Sequence, residues 1–145
     1  MNSRFAINLA VAVVVGGLCG SALRAQQAAA TSASSGVYTA DQAKRGQTVY
    51  ADTCSKCHLD DFSGGTSPPL VGNEFLSSWK GKTVGALFEE TRMTMPFDNP
   101  GGLTPAQYAD VLAYLLSMNK FPAGENELAH ETALLEQITL DGAKP

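Results

Sequence analysis

The chain has 145 residues and carries 10 Lys and Arg against 14 Asp and Glu, a formal net charge of −4. This length has room for one domain and little else, and the acidic balance argues against nucleic acid as a partner, because nucleic-acid-binding domains show a basic face. Three cysteines are too few for a disulfide-dense scaffold.

Residues 1–25 are typical of a secretory signal peptide. Arg4 supplies a positive charge, and Leu9–Leu18 is an uncharged apolar run, shorter than the roughly 20 residues that a membrane span needs. We therefore expect export to the periplasm, and contact with a membrane only if this segment is retained as an anchor. Its removal takes away Arg4 and Arg24 and leaves eight basic against fourteen acidic residues, a net charge of −6.

Residues 26–36 contain Ala, Ser, Gln and Thr with one Gly and no large apolar side chain, a composition that predicts a disordered linker. We expect a single domain over residues 37–119. A tail over residues 120–145 is predicted to carry a short helix and to pack on that domain.

Helical spacing of apolar residues predicts an all-α domain, since no stretch of the chain alternates with period two. Two helix starts carry the pattern of a capping box, at Thr39 and at Thr104, and Pro105 stands at the first helical position of the second. The predicted helices cover residues 40–52, 74–79, 83–91, 105–119 and 132–138. Residues 60–72 and 93–102 are rich in Gly and Pro and are predicted to be irregular.

The residues that carry chemistry are Cys54-Ser55-Lys56-Cys57-His58, a C-x-x-C-H sequence, which is the attachment signature of c-type haem. Two thiols at this spacing reach the two vinyl groups of one porphyrin edge, and the next residue places an imidazole beneath the iron. A thioredoxin-like dithiol would need a βαβ unit, a structural zinc site would need four N or S ligands, and a disulfide would leave His58 without a role. The motif therefore predicts one covalently attached haem c.

The sixth position of the iron has four candidate ligands downstream of the motif. Met118 lies on the apolar face of a predicted helix and is more simply a core residue, and His130 lies in the polar tail and is more simply a surface residue. Met93 and Met95 lie on one side of a segment expected to be extended, and Pro96 follows the second of them. The residues alone do not choose between these two methionines.

From about Tyr38 to Asn119 the chain resembles the class I cytochromes c, which are small mono-haem electron carriers. The matching residues are Gly46, Tyr50, Cys54–His58, Pro68-Pro69-Leu70 with Gly72, Met95-Pro96 and the helix Tyr108–Met118. The chain is especially similar to the exported cytochrome c domains associated with PQQ-dependent quinoprotein dehydrogenases. That similarity lies in Met95, Pro100–Thr104, Ala113-Tyr114 and Phe121–Gly124.

The resemblance implies a cytochrome c fold, in which the N- and C-terminal helices cross at Gly46 around one haem. It implies that Cys54 and Cys57 bear the haem and that His58 and Met95 bind the iron, with Met93 as the less favoured distal ligand. A carbonyl of the Pro68-Pro69 segment would accept the proton of the other His58 nitrogen.

The resemblance also implies a haem pocket formed by Pro69, Leu70, Phe75, Trp79, Leu87 and Phe88. For Trp79, an indole hydrogen bond to a haem propionate and plain core packing both remain open.

An iron with both axial positions filled binds no substrate, so the resemblance implies an electron carrier rather than an enzyme. The expected partners are redox proteins, with a PQQ-dependent dehydrogenase on one side and an oxidase on the other. The acidic charge favours partners that have a basic docking patch. The alternatives are a haem-based sensor or enzyme with a labile sixth ligand, and a cytochrome subunit fixed in a larger complex.

Overall fold

The computed structural model describes residues 31–141, so the predicted signal peptide lies outside the described residues. Within this range the chain forms six α-helices, a 3-10 helix at Ala33–Ser35 and one pair of two-residue strands, and the all-α prediction is confirmed. The elements in chain order are β1 (Thr31–Ser32), α1 (Ala40–Thr53), α2 (Ser55–His58), α3 (Gly72–Trp79), α4 (Val84–Thr94), α5 (Pro105–Met118), α6 (Thr132–Leu135) and β2 (Ile138–Thr139). None of these helices is long and apolar enough to cross a membrane.

The starts of the three longest helices are set by hydroxyl caps. Thr39, Thr83 and Thr104 each accept a hydrogen bond from the backbone N–H three residues later, and Thr104 forms the complete capping box with Gln107. The C-terminal end of α4 differs from the prediction. Helix α4 continues to Thr94, so the prediction of an extended segment at residue 93 is wrong.

Helices α1 and α5 cross where Gly46 meets Asp110. A β-carbon at Gly46 would lie 1.8 Å from the carbonyl oxygen of Asp110, so only glycine permits this approach. Beside the crossing, the rings of Tyr50 and Tyr114 meet edge to face at 5.7 Å, and Phe62 stacks on Tyr50 at 4.2 Å. The predicted crossing at Gly46 is confirmed, whereas the sequence did not single out Phe62.

Residues 31–36 are ordered, and the prediction of a disordered linker is wrong for them. Strand β1 pairs in parallel with β2, the N–H of Thr31 donates to the carbonyl of Gln137 at 2.7 Å, and Ala33 is fully buried. Small side chains cannot build a core by themselves. Here the apolar partners come from the tail, more than a hundred residues away in the chain.

The tail packs along α1 and α4. The side-chain amide of Gln42, which is 2 % exposed, bonds both the carbonyl (2.9 Å) and the N–H (2.7 Å) of Leu128. Further along, Leu140 exchanges backbone bonds with Gly81 (2.7 Å) and Lys82 (2.8 Å), just before α4 begins. Leu128 and Leu140 are both buried, so the tail completes the larger core cluster.

Candidate haem site

A cavity of about 700 Å³ lies among the chain segments that surround the C-x-x-C-H motif. It is lined by residues of α1 to α5 and by the loops at residues 66–70 and 95–98, and most of its surface is apolar. This volume is in the range of cofactor sites, and an apolar wall with a few polar groups is typical of them.

Both thiols of the motif line this cavity. The N–H of Cys54 caps α1 by donating to the carbonyl of Tyr50 at 2.8 Å, and the short helix α2 then presents Cys57 and His58 one turn further on. Cys57 is exposed, whereas Cys54 is partly buried. Burial raises the pKa of the Cys54 thiol, so in the haem-free chain this side chain stays protonated at neutral pH.

The imidazole of His58 is held in one orientation. The residue is 6 % exposed, and its Nδ1 lies 3.0 Å from the carbonyl oxygen of Pro68. Because a carbonyl only accepts, this contact places the ring proton on Nδ1 and leaves the lone pair of Nε2 for a metal. The carbonyl partner that the resemblance implied is therefore present, and it belongs to Pro68.

The loop that presents Pro68 depends on Gly64. Its φ is +100°, and a β-carbon there would lie 2.4 Å from the carbonyl oxygen of Ser67. The loop is also tied back to the motif, because the N–H of Gly64 donates to the carbonyl of His58 at 3.3 Å. A glycine-rich sequence is thus what allows a carbonyl to reach the histidine ring.

Five of the six expected pocket residues line the cavity: Pro69, Leu70, Phe75, Trp79 and Leu87. Phe88 does not, and its assignment to the pocket is wrong. Successive residues of a helix point about 100° apart, so when Leu87 faces the cavity, Phe88 turns into the core. There it is 2 % exposed and meets the ring of Tyr108 edge to face at 6.2 Å.

Sequence reasoning did not assign the helix α5 residues Val111 and Leu115 to the cavity, although both line it. They lie four residues apart on the predicted apolar face of this helix, which was the available signal. That face is wide enough to contact both the core and the cavity. The spacing alone therefore does not show which of its residues line the cavity and which pack in the core.

Trp79 has both an apolar and a charged neighbour. It lines the cavity, its ring centroid lies 6.4 Å from that of Phe75, and the ammonium of Lys82 lies 4.6 Å above the ring. The hydrogen bond of its indole to a propionate stays a prediction.

Of the four candidates for the sixth ligand, Met95 lines the same cavity as His58. Met93 is 69 % exposed and lies on α4, outside the lining. Met118 packs against the smaller core cluster, and His130 is a surface residue beside Glu131. The side-chain environments thus separate the two methionines that the sequence left open.

One apolar cavity is lined by two thiols, an imidazole with a free Nε2 and a thioether. This donor set fits haem c. The helical fold and this site define a class I c-type cytochrome, and its cofactor is covalently bound haem c. The family model described as cytochrome c oxidase, cbb3-type, subunit III matches residues 41–115, which is just over half of the chain, and the chain belongs to this family. No curated protein and no solved structure matches the chain. The cytochrome c domain gives the protein a role in haem-based electron transfer.

Proposed function

We propose that this protein is an exported mono-haem electron carrier in which His58 and Met95 bind the iron. The observation that carries the proposal is that Met95 alone among the four candidate ligands lines the cavity with His58. When bound, the haem supplies a one-electron couple between ferric and ferrous iron.

The chain orients the ligand of the iron and excludes water from the haem cavity. The carbonyl of Pro68 fixes the tautomer of His58, so that the ligating nitrogen needs no rearrangement when the charge of the iron changes. The apolar wall formed by Leu70, Phe75 and Leu87 disfavours the extra charge of the ferric state. A thioether ligand acts in the same direction, so we expect a raised reduction potential.

We propose redox proteins as partners, with a quinoprotein dehydrogenase that uses PQQ as electron donor and an oxidase as acceptor. The likeness in residues 95–104 and 121–124 supports the donor, and the description of the matched family supports the acceptor. The net charge of −4, or −6 without residues 1–25, favours partners that present a basic patch and an association that weakens with salt.

The experiment is an absorption spectrum of the full chain, matured in a bacterium that attaches haem c, recorded oxidised and reduced with and without carbon monoxide. Mass spectrometry of the same sample counts the haems and locates the N-terminus. A low-spin spectrum that carbon monoxide leaves unchanged supports the closed carrier. A shift with carbon monoxide would mean an open or labile sixth position and would favour a haem-based sensor or enzyme.

A second candidate is a cytochrome subunit fixed in a larger complex, because the matched family is described as an oxidase subunit. Size-exclusion chromatography of the protein from its native membranes and periplasm separates the two. A carrier elutes alone at the mass of one chain with one haem, and a fixed subunit elutes together with oxidase activity.

A further inference from the structure

The hydroxyl of Tyr108 holds the backbone of the residue that we assign as distal ligand. Tyr108 is 1 % exposed, and its hydroxyl donates to the carbonyl oxygen of Met95 at 2.6 Å. We propose that Tyr108 is a positioning residue for the axial thioether, which it keeps on the iron by fixing the main chain of Met95. This inference rests on the proposed ligation by Met95.

Both backbone polar groups of Met95 are then engaged. Its N–H donates to the carbonyl of Thr91 at 2.8 Å as the cap of α4, and its carbonyl accepts from Tyr108. Carbonyls at the end of a helix have no partner within the helix, so this one needs an external donor. The phenol supplies that donor from the first turn of α5.

The hydrogen bond between Tyr108 and Met95 also joins the two ends of a loop. Met95 and Tyr108 are thirteen residues apart, and the chain between them leaves α4, turns and enters α5. Within the loop, the N–H of Asn99 donates to the carbonyl of Pro96 at 2.8 Å. The tyrosine bond ties the ligand end of this loop to a helix that packs against α1.

The phenol itself is held on two sides. The capping box of Thr104 and Gln107 fixes the start of α5 just before Tyr108. The ring of Phe88 packs against the ring of Tyr108 edge to face at 6.2 Å. Phe88 does not line the cavity. Through this contact it holds Tyr108 in place, and Tyr108 in turn fixes the main chain of Met95.

A thioether is a neutral ligand that other ligands can displace, so its occupancy depends on how well the protein holds it in place. Removal of the hydroxyl leaves the Met95 carbonyl without its donor and frees the loop at its base. A lost hydrogen bond of this kind corresponds to up to about a tenfold change in an equilibrium constant. We therefore expect the state with Met95 off the iron to become up to about ten times more populated.

The experiment compares Tyr108→Phe with Tyr38→Phe in the full haem-loaded protein. The two changes are matched, because the hydroxyl of Tyr38 also donates to a main-chain carbonyl, that of Phe121 at 2.7 Å, and Tyr38 is 2 % exposed. Cyanide is titrated into the ferric protein, and the long-wavelength charge-transfer band of sulfur-ligated iron is followed. We expect Tyr108→Phe to bind cyanide several-fold to about tenfold more tightly and to weaken the band, with no change in Tyr38→Phe.

Equal cyanide affinities in Tyr108→Phe, Tyr38→Phe and the wild type would overturn the positioning role. If Tyr108→Phe does not accumulate with haem, Phe88→Leu takes its place, since it keeps the hydroxyl but removes the ring that braces it. Phe88→Leu is then expected to raise cyanide affinity about twofold to threefold, and no rise would overturn the role equally.

The wild type and Met95→Ala separate this inference from the assignment of the ligand. If the wild type lacks the charge-transfer band and binds cyanide as Met95→Ala does, the ligation by Met95 is wrong. If the wild type shows the band and Met95→Ala loses it, the ligation stands, and the tyrosine comparison decides the positioning role alone.

Discussion

Gly46 of α1 lies directly against the main chain of Asp110 of α5, so closely that a β-carbon at residue 46 would come within 1.8 Å of the Asp110 carbonyl oxygen. The two helices cannot cross at this distance with any other residue there. Since this pair of helices also contributes Tyr50, Val111 and Leu115 to the cavity, the crossing sets the width of the haem site.

The first prediction concerns Gly46→Ala. In an exposed helix this change would stabilise the protein by up to about 1 kcal/mol, because Gly is a poor helix former. Here it must push the helices apart, so we expect a loss of about 3 kcal/mol in the free energy of unfolding. Denaturant unfolding followed by circular dichroism measures this. Thr48→Ala, on the exposed side of α1, is the control and should stay within about 0.5 kcal/mol of the wild type. A neutral Gly46→Ala would show that the crossing is not tight.

The second prediction separates the two methionines. Met95→Ala should keep the haem attached through Cys54 and Cys57, lower the reduction potential by roughly 0.1–0.2 V and let carbon monoxide bind, because a thioether raises the potential of the iron. Met93→Ala removes a side chain that is 69 % exposed and should leave both properties unchanged. Potentiometric titration and the carbon monoxide spectrum check this. The opposite pattern in the two variants would move the distal ligand to Met93.

The third prediction concerns the attachment of the tail to α1. Gln42→Ala leaves the N–H and the carbonyl of Leu128 without their partner in a buried position, and we expect a loss of about 2–4 kcal/mol in the free energy of unfolding. Thermal and denaturant unfolding measure the loss, and limited proteolysis should cut first in the tail. Gln47→Ala, an exposed glutamine of the same helix, is the matched control. Equal unfolding curves for the two variants would argue against a stabilising role of the tail.

The fourth prediction is a pH dependence. Burial raises the pKa of the Tyr38 phenol above its ordinary value of 10.0. The unfolded chain therefore loses this proton first as pH rises, so the contribution to stability is complete below about pH 10 and is lost above it. The loss is at most about 1.4 kcal/mol per pH unit for one group.

Denaturant unfolding at pH values from about 8 to 11 tests this dependence, with Tyr38→Phe as the reference. At neutral pH the variant should be about 1 kcal/mol less stable, because it lacks the hydrogen bond to Phe121. Above about pH 10 its stability should fall less steeply than that of the wild type. Parallel curves would mean that the Tyr38 phenol titrates normally in the folded protein.

The features that could be predicted from the sequence are those that depend on a few neighbouring residues. The spacing of Cys54, Cys57 and His58 predicts haem c, since attachment and ligation need only five consecutive residues. The helix starts at residues 40, 84 and 105 agree with the predicted ones to within a residue, because a hydroxyl cap bonds an N–H three positions away. The resemblance implies that the helices cross at Gly46, although the sequence alone does not identify Asp110 as the residue that Gly46 meets there.

Other features depend on contacts between distant parts of the chain and are visible only in the folded protein. Met93 and Met95 differ in environment because α4 continues to Thr94 and ends just before Pro96, where the hydroxyl of Tyr108 on α5 holds the carbonyl of Met95. Phe88 faces Tyr108 instead of the cavity because the face of α4 that meets the core is set by α5 and the tail.

Residues 31–36 show most clearly the difference between what nearby residues predict and what distant segments determine. Their composition predicts disorder, because no large apolar side chain is available to them. They are ordered because β2 and the tail supply hydrogen bonds and apolar surface from the other end of the described chain. A pattern within a few residues predicts the attachment of haem and the residues at which helices begin. The burial of a segment depends on which distant segments pack against it.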